Sequence, residues 1–188
     1  MGKLVYWMTV SLDGYIADRD GKIDWTAPDD ELHGYVNELA RQTAAFLLGR
    51  KMYEDLAPFW PTADQDPKAP ARIVEFAGIW RSRPRYVFST TLAQADHGCQ
   101  LVPGDLGVEV GKLKKQIDGN MSVGGAGLGG SLLKLDLVDE LRLFVRPVLL
   151  GGGTPCFPQM DARTTWNLVE SRTFPGGVLM LRYTRSSQ

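Results

Sequence analysis

The amino-acid sequence predicts an α/β fold, a three-layer sandwich whose mostly parallel central sheet carries antiparallel strands at its C-terminal edge. Three observations support this expectation. Short apolar runs rich in β-branched and aromatic residues alternate with stretches whose apolar residues recur at helical spacing. Several of those runs close on glycine or on Asp-Gly, where a strand gives way to a turn. The last two, Trp166 to Arg172 and Val178 to Arg185, are joined through Pro175-Gly176-Gly177, which reads as an antiparallel hairpin.

The elements follow in order. Leu4 to Leu12 is a near-continuous apolar run ending at Asp13-Gly14, and it reads as a buried central strand. In TAPDDEL, Pro28 and three acids stand ahead of Leu32, Tyr35, Val36 and Leu39, which predicts a helix over about 29 to 43. AAFLLG, at 44 to 49, suits a strand buried on both faces, and Gly49-Arg50-Lys51-Met52-Tyr53-Glu54 opens the next helix. Residues 58 to 72 hold prolines at 58, 61, 67 and 70 and read as a long loop of the kind that covers a substrate. Tyr86 to Ser89 is a strand. Leu106, Val110, Leu113 and Ile117 form a helical stripe whose other face, with Lys112, Lys114 and Lys115, is expected in solvent. Met121 to Val123 is a strand that runs into GGAGLGGSLL, a tight glycine turn and a helix marked by Leu128, Leu132 and Leu135. Leu141 to Leu150 is a further strand, interrupted by Pro147 and closed by Gly151-Gly152-Gly153.

Composition narrows the function. At 188 residues, 44% hydrophobic and 23% charged, the chain fits one globular domain over 1–188. Its 21 Lys and Arg against 22 Asp and Glu leave a formal charge of −1, so no global field favours nucleic acid. Cys99 and Cys156 have no CxxC or Cys/His spacing, which argues against a disulfide framework or a zinc site and for a reduced, cytoplasmic setting. MGKLVYWMTVSLDGY mixes charges into too short an apolar run for a signal peptide, and no segment approaches the roughly 20 apolar residues of a membrane span. GxSxG, HExxH and Walker patterns are missing, and His33 and His97 are isolated. Nucleophilic, metal and ATP chemistry are therefore not expected.

The strongest local signal is Gly124 to Gly130. A backbone without Cβ atoms can approach a pyrophosphate and present N–H groups at a helix N-terminus; the same glycines could instead serve a close helix-to-sheet crossing. Gly125, Gly127 and Gly130 match GxGxxG, but no carboxylate follows about 20 residues later, which disfavours a two-domain Rossmann site. At Gly49-Arg50-Lys51, adjacent cations oppose the helix dipole, and a bound anion would relieve the conflict. Ser89-Thr90-Thr91 adds hydroxyl donors at the next strand end. Ligands of open α/β sheets gather at such carboxyl ends, although cations and hydroxyls there also occur as plain surface and turn residues.

Taken together, SLDGYIA (11 to 17), GRKMYE (49 to 54), YVFSTTL (86 to 92), MSVGGAGLGGSLL (121 to 133) and VDELRLFVRPVLLGGGTPCF (138 to 157) resemble the dihydrofolate reductase superfamily. The likeness is stronger to the branch containing the reductase half of the bifunctional riboflavin-biosynthesis deaminase/reductase, and it spans nearly the whole chain. It implies a dihydrofolate reductase-like fold and NADPH as cofactor. Gly49, Arg50, Lys51, Ser89 and Thr90 would hold the adenosine phosphates; Gly124, Gly125, Ala126 and Gly127 the pyrophosphate; Thr9, Ile16 and Ala17 would contact the nicotinamide. Trp25 and Asp30 keep the spacing of the loop tryptophan and pterin-binding carboxylate, so Asp30, partly desolvated, would orient and help protonate the substrate. The competing reading is that Asp29, Asp30 and Glu31 complement a helix N-terminus. Asp13 reads as a turn former.

Two positions depart from the pattern: Met52 stands where a hydroxyl residue is usual, and Gly127 where folate reductases carry a phosphate-binding arginine. The zinc deaminase signature is also missing, which implies a freestanding reductase. The expected activity is hydride transfer from NADPH to a small heterocycle, pterin-like or ribosylamino-pyrimidine-like. The alternative is a catalytically weak NADP(H)- or small-ligand-binding protein on the same fold. Relatives in this branch dimerise, and VLMLRY is apolar at successive positions, so a homodimer is expected.

Overall fold

The computed structural model describes residues 2–186; Met1, Ser187 and Gln188, the ends of the expected 1–188 domain, lie outside the described residues. The described residues form ten strands and five α-helices. They are β1 (Lys3–Ser11), β2 (Tyr15–Ala17), α1 (Asp30–Arg41), β3 (Thr43–Gly49), α2 (Arg50–Leu56), α3 (Ala71–Ser82), β4 (Arg85–Phe88) and β5 (Gln100–Leu101). Then come α4 (Leu106–Gln116), β6 (Asn120–Gly124), α5 (Ala126–Lys134), β7 (Glu140–Arg146), β8 (Thr154–Pro155), β9 (Trp166–Thr173) and β10 (Leu179–Arg185).

Eight strands form one sheet in the order β5-β4-β3-β6-β1-β7-β10-β9, and β2 pairs separately with β8. The six strands from β5 to β7 run parallel, while β10 pairs antiparallel with both β7 and β9. Alternation along β1 divides the core. Leu4, Tyr6 and Val10 join α4 and α5 through Val110, Leu113, Leu128 and Leu132 on one face. On the other face Trp7 packs against the clusters that α1, α2 and α3 complete through Leu32, Tyr53 and Trp80. The expected three-layer α/β architecture, with antiparallel strands at its C-terminal edge, is what the chain adopts.

Several local expectations are corrected. Asp29 caps α1 by accepting from the Leu32 N–H at 2.8 Å, and the helix stops at Arg41 because Thr43 already opens β3. Of the loop expected over 58 to 72, Ala71 and Arg72 begin helix α3, and Trp60–Thr62 is a 3₁₀ turn. Strand β7 ends at Arg146 rather than at residue 150, since Pro147 has no N–H to continue the ladder. Lys114 is not on a solvated face. It is 8% exposed, with its Nζ donating to Asp139 Oδ2 at 2.6 Å and to the Leu137 carbonyl at 3.0 Å. Asp139 also accepts from the Leu4 N–H, which ties α4 and β7 to the start of the central strand.

The glycines of α5 separate by use. A Cβ at Gly129 would lie 2.3 Å from the Tyr6 ring, so this glycine is the close helix-to-sheet crossing. Tyr6 is fully buried beneath it and donates its hydroxyl to the Cys156 carbonyl at 2.7 Å. A Cβ at Gly127 would meet nothing within 4 Å. Gly129→Ala should therefore overpack this contact and destabilise the fold by about 1–3 kcal/mol or more. Gly127→Ala should be neutral or stabilising by up to ~1 kcal/mol. Urea unfolding midpoints for the two variants check the contrast.

His33 supplies a pH-dependent term. It lies in the α1–α3 contact, 8% exposed and edge-on to Phe76, with Nδ1 lacking a hydrogen-bond partner. Burial holds its pKa below the usual histidine value, Arg72 adding to that effect and Asp30 opposing it. A depressed folded-state pKa means that the unfolded chain takes up a proton first as pH falls. Stability should accordingly decline from about pH 6.5 downward towards the depressed value. Denaturant midpoints between about pH 5 and 7 should show this slope in the native protein and a flatter one in His33→Leu.

Candidate functional site

Parallel pairing brings five strand ends to one edge. Gly49 lies opposite Phe88, Leu48 opposite Gly124, and Ser11 opposite Arg146, so β4, β3, β6, β1 and β7 finish side by side. This is where ligands of open α/β sheets bind. The segments that the sequence singled out on separate strands thus share one rim.

At its centre, Gly125 adopts φ +88°, a left-handed turn that lets β6 pass directly into α5. Its N–H donates to Met8 Sδ at 3.0 Å and so points at β1 rather than outward. The first-turn N–H groups of Ala126, Gly127 and Leu128 have no side-chain cap, and Gly127 is exposed with open space beside its Cα. These groups can receive an anion at a helix N-terminus. Gly124 has a different reason: a Cβ there would lie 2.7 Å from the Met52 methyl, so the thioether at this unusual position packs against the turn.

The cations beside it are self-paired. Arg50 Nε donates to Glu54 Oε1 at 2.7 Å and Nη1 to Thr91 Oγ1 at 2.8 Å, while Lys51 Nζ lies 2.7 Å from Asp55 Oδ1. Carboxylates one turn along α2 therefore relieve the opposition to its dipole. The Asp55 hydrogen bond raises the Lys51 pKa. Ser89 Oγ accepts from the N–H groups of Thr91 and Leu92, forming a turn, and Thr90 is exposed. The hydroxyl that meets Arg50 is Thr91, one residue beyond the assigned Thr90.

Thr9, opposite Phe144 on β1, is half-buried and faces the α1 layer; Ile16 and Ala17 lie on β2, which pairs with β8 beyond the end of β1. Asp13 forms the expected turn and also fastens it. Its carboxylate accepts from Ser11 Oγ at 2.7 Å, from the Gly151 N–H at 2.7 Å and from the Leu150 N–H. The Ser11 hydroxyl and these amides hold its pKa below the usual carboxylate range. Arg19 donates to the Gly151 carbonyl from the same side. No local sequence signal joins residues so far apart in the chain.

On the substrate side, Trp25 lies in a 3₁₀ turn (Asp24–Thr26) that Arg146 secures by donating to the carbonyls of Thr26, at 2.6 Å, and Ala27. Arg146 was not anticipated, and its only sequence mark is a cation at the apolar end of β7. Asp30 departs from expectation. It pairs with Arg72 Nη1 at 2.5 Å and its side chain is 83% exposed, so the desolvated carboxylate expected of a proton donor is not what the fold provides. No cluster of three or more His, Cys, Asp or Glu side chains suited to a metal ion occurs among the described residues.

Residues 2–180 match the RibD C-terminal domain family. The uncharacterised protein YyaP of Bacillus subtilis is 32% identical over 182 residues, covering 96% of this chain and 94% of that protein. Among solved structures, a Shewanella sp. PV-4 protein provisionally assigned to riboflavin biosynthesis superposes with a TM-score of 0.78 at 27% identity, covering 98% and 99% of the two chains. The dihydrofolate reductase of Enterococcus faecalis, in complex with NADP(H), superposes with a TM-score of 0.67 at 17% identity over 99% and 98%, a likeness of fold. With the match extending over residues 2–180, the chain belongs to the RibD C-terminal domain family and has a reductase-type, dihydrofolate reductase-like fold.

Proposed function

We propose that this chain is a single-domain, NADPH-dependent reductase that delivers hydride to a C=N or C=O group of a small heterocycle, pterin-like or ribosylamino-pyrimidine-like. The observation that carries the reading is the shared rim: an uncapped glycine turn at the start of α5 stands beside the Arg50–Thr91 pair at the carboxyl ends of parallel strands. One is suited to a pyrophosphate and the other to a phosphomonoester. The related fold of the Enterococcus faecalis enzyme, in complex with NADP(H), supports the same choice. NADPH, when bound, supplies the hydride.

The chain's own residues do the rest. Ala126, Gly127 and Leu128 offer backbone N–H groups to the pyrophosphate, and Arg50, Lys51 and the 89–91 turn take the terminal phosphate. Thr9, Ile16 and Ala17 border the nicotinamide end. Trp25, held by Arg146, walls the substrate, and Asp30 orients it from the start of α1. The exposure of Asp30 favours water as the immediate proton source and also supports a second reading, a catalytically weak ligand-binding protein on this fold.

We further place the protein in the cytoplasm as a homodimer. Cys99 and Cys156 are unpaired, and no helix of the described residues is long and apolar enough to cross a membrane. Leu168 and Val169 are exposed on β9, with Leu168 opposite the half-buried Tyr183 of β10, which leaves this edge of the sheet for a second copy. Light scattering should give the mass of two chains at assay concentration, and a monomer would count against this edge as an interface.

NADPH should quench tryptophan fluorescence in a saturable titration, with NADH weaker. Arg50→Ala should lower NADPH affinity about tenfold to a hundredfold and affect NADH less, the range of a charge-assisted hydrogen bond. Equal weakening would place Arg50 on the phosphates that both cofactors share. Absence of binding at millimolar concentrations of either would overturn the reading.

A further inference from the structure

The opposite end of the sheet holds a second polar concavity. A cavity of about 190 Å³ opens between the last turns of α1 and the β7–β10–β9 edge, lined by Tyr35, Glu38, Leu39, Gln42, Arg142, Glu170 and Arg182. Register builds its floor: Arg142 on β7 faces Arg182 on β10, which faces Glu170 on β9. Positions 35, 38, 39 and 42 share one face of α1 and its C-cap, which puts Glu38 and Gln42 over those guanidiniums.

Like charges directly opposite on a sheet repel, and here carboxylates compensate them. Arg142 Nε donates to Glu140 Oε1 at 2.5 Å, and Arg182 Nη1 to Glu170 Oε2 at 3.0 Å. Three groups are left without a hydrogen-bond partner among the described residues, the first being the buried Arg182 Nε, which lies 3.7 Å from Glu140 Oε2. The Arg142 side chain is 9% exposed, yet neither of its terminal nitrogens has a protein acceptor, and the residue lines the cavity. Glu38, exposed at the cavity, enters no ion pair. Stability alone does not account for this arrangement, because well-packed apolar residues commonly replace a buried ion pair at no cost.

The unmatched groups define the ligand. With Arg142 balanced by Glu140, and Arg182 by Glu170 and, at 3.7 Å, by Glu140 as well, a free phosphate would meet the Glu38 and Glu170 carboxylates, and a simple cation would meet two guanidiniums. A molecule bearing both a carboxylate and an ammonium group satisfies both. The volume, below the roughly 300 Å³ at which drug-sized sites begin, limits it to a small one. We propose that this cavity binds a small zwitterionic amino acid, its carboxylate on Arg142 and Arg182 and its ammonium on Glu38.

Calorimetric titration of the full chain with glycine, L-alanine and β-alanine, against acetate, methylammonium and inorganic phosphate, tests the proposal without reference to NADPH. At least one amino acid should bind saturably and at least tenfold more tightly than each control. Arg142→Met should abolish that binding. Because this variant removes the nearer of the two guanidiniums beside the buried Glu140 and leaves only Arg182 Nε, at 3.7 Å, the exposed Glu38→Gln, expected to keep the fold and weaken binding about tenfold, is the second measure. The proposal is overturned by no binding up to about 50 mM, by acetate or phosphate binding as well as the amino acids, or by unchanged affinity in a folded Glu38→Gln.

Discussion

The contact between Gly129 and the Tyr6 ring sets the geometry of the rest. A helix can lie this close to a sheet only where it lacks a side chain, and Gly129 removes the Cβ that would enter the ring. Tyr6 cannot retreat, because it sits at the centre of the sheet with its hydroxyl committed to the Cys156 carbonyl. Burial drives the Tyr6 pKa far upward, so the donor is permanent across the physiological range. With α5 seated on that ring, its N-terminus falls at the carboxyl end of β6. The uncapped N–H groups of Ala126, Gly127 and Leu128 thereby become part of the rim instead of a buried liability.

The electrostatics of that rim are compensated before any ligand arrives. Arg50 and Lys51 spend their charge on Glu54 and Asp55, at exposed positions where such pairs contribute at most ~1 kcal/mol. A phosphate therefore has to displace weak partners, not strong ones, and the cations remain available at small cost. Asp13 behaves differently. Three of its partners are local or backbone groups that the fold holds in place, so its charge serves to tie the turn after β1 to the glycine loop after β7.

What the sequence disclosed followed from chain-local physics. The central strand, the C-terminal hairpin and the glycine turn each carry their signal within a few residues: two-sided burial, Pro-Gly-Gly, and glycines ahead of a leucine stripe. Helix α3 was illegible because it begins straight after Pro70 without a polar cap and spreads its apolar residues over more than one face. The two-residue strands β5 and β8 are too short for any period to show. At the site, the strand ends were readable but the pairings were not. Whether Thr90 or Thr91 meets Arg50, whether Lys114 is solvated or buried on Asp139, and whether Asp30 is desolvated or paired to Arg72 all depend on residues distant in sequence.

Helix α1 links the two polar ends of the molecule. Asp30 stands at its first turn and Glu38 two turns on, about 12 Å away at 1.5 Å per residue. Between them Asn37, fully buried, donates to the Arg72 carbonyl at 2.9 Å and to Glu75 at 2.7 Å, and Arg72 returns its guanidinium to Asp30. One residue of α3 thus accepts from the middle of α1 and pairs with its start. A displacement at the Glu38 end cannot be absorbed by bending α1 alone, because Asn37 would have to leave Arg72 or carry it along. Close-packed helices pinned in this way resist independent movement, so α1 and α3 together form one support for the Asp30–Arg72 pair and for the wall of the Glu38 cavity.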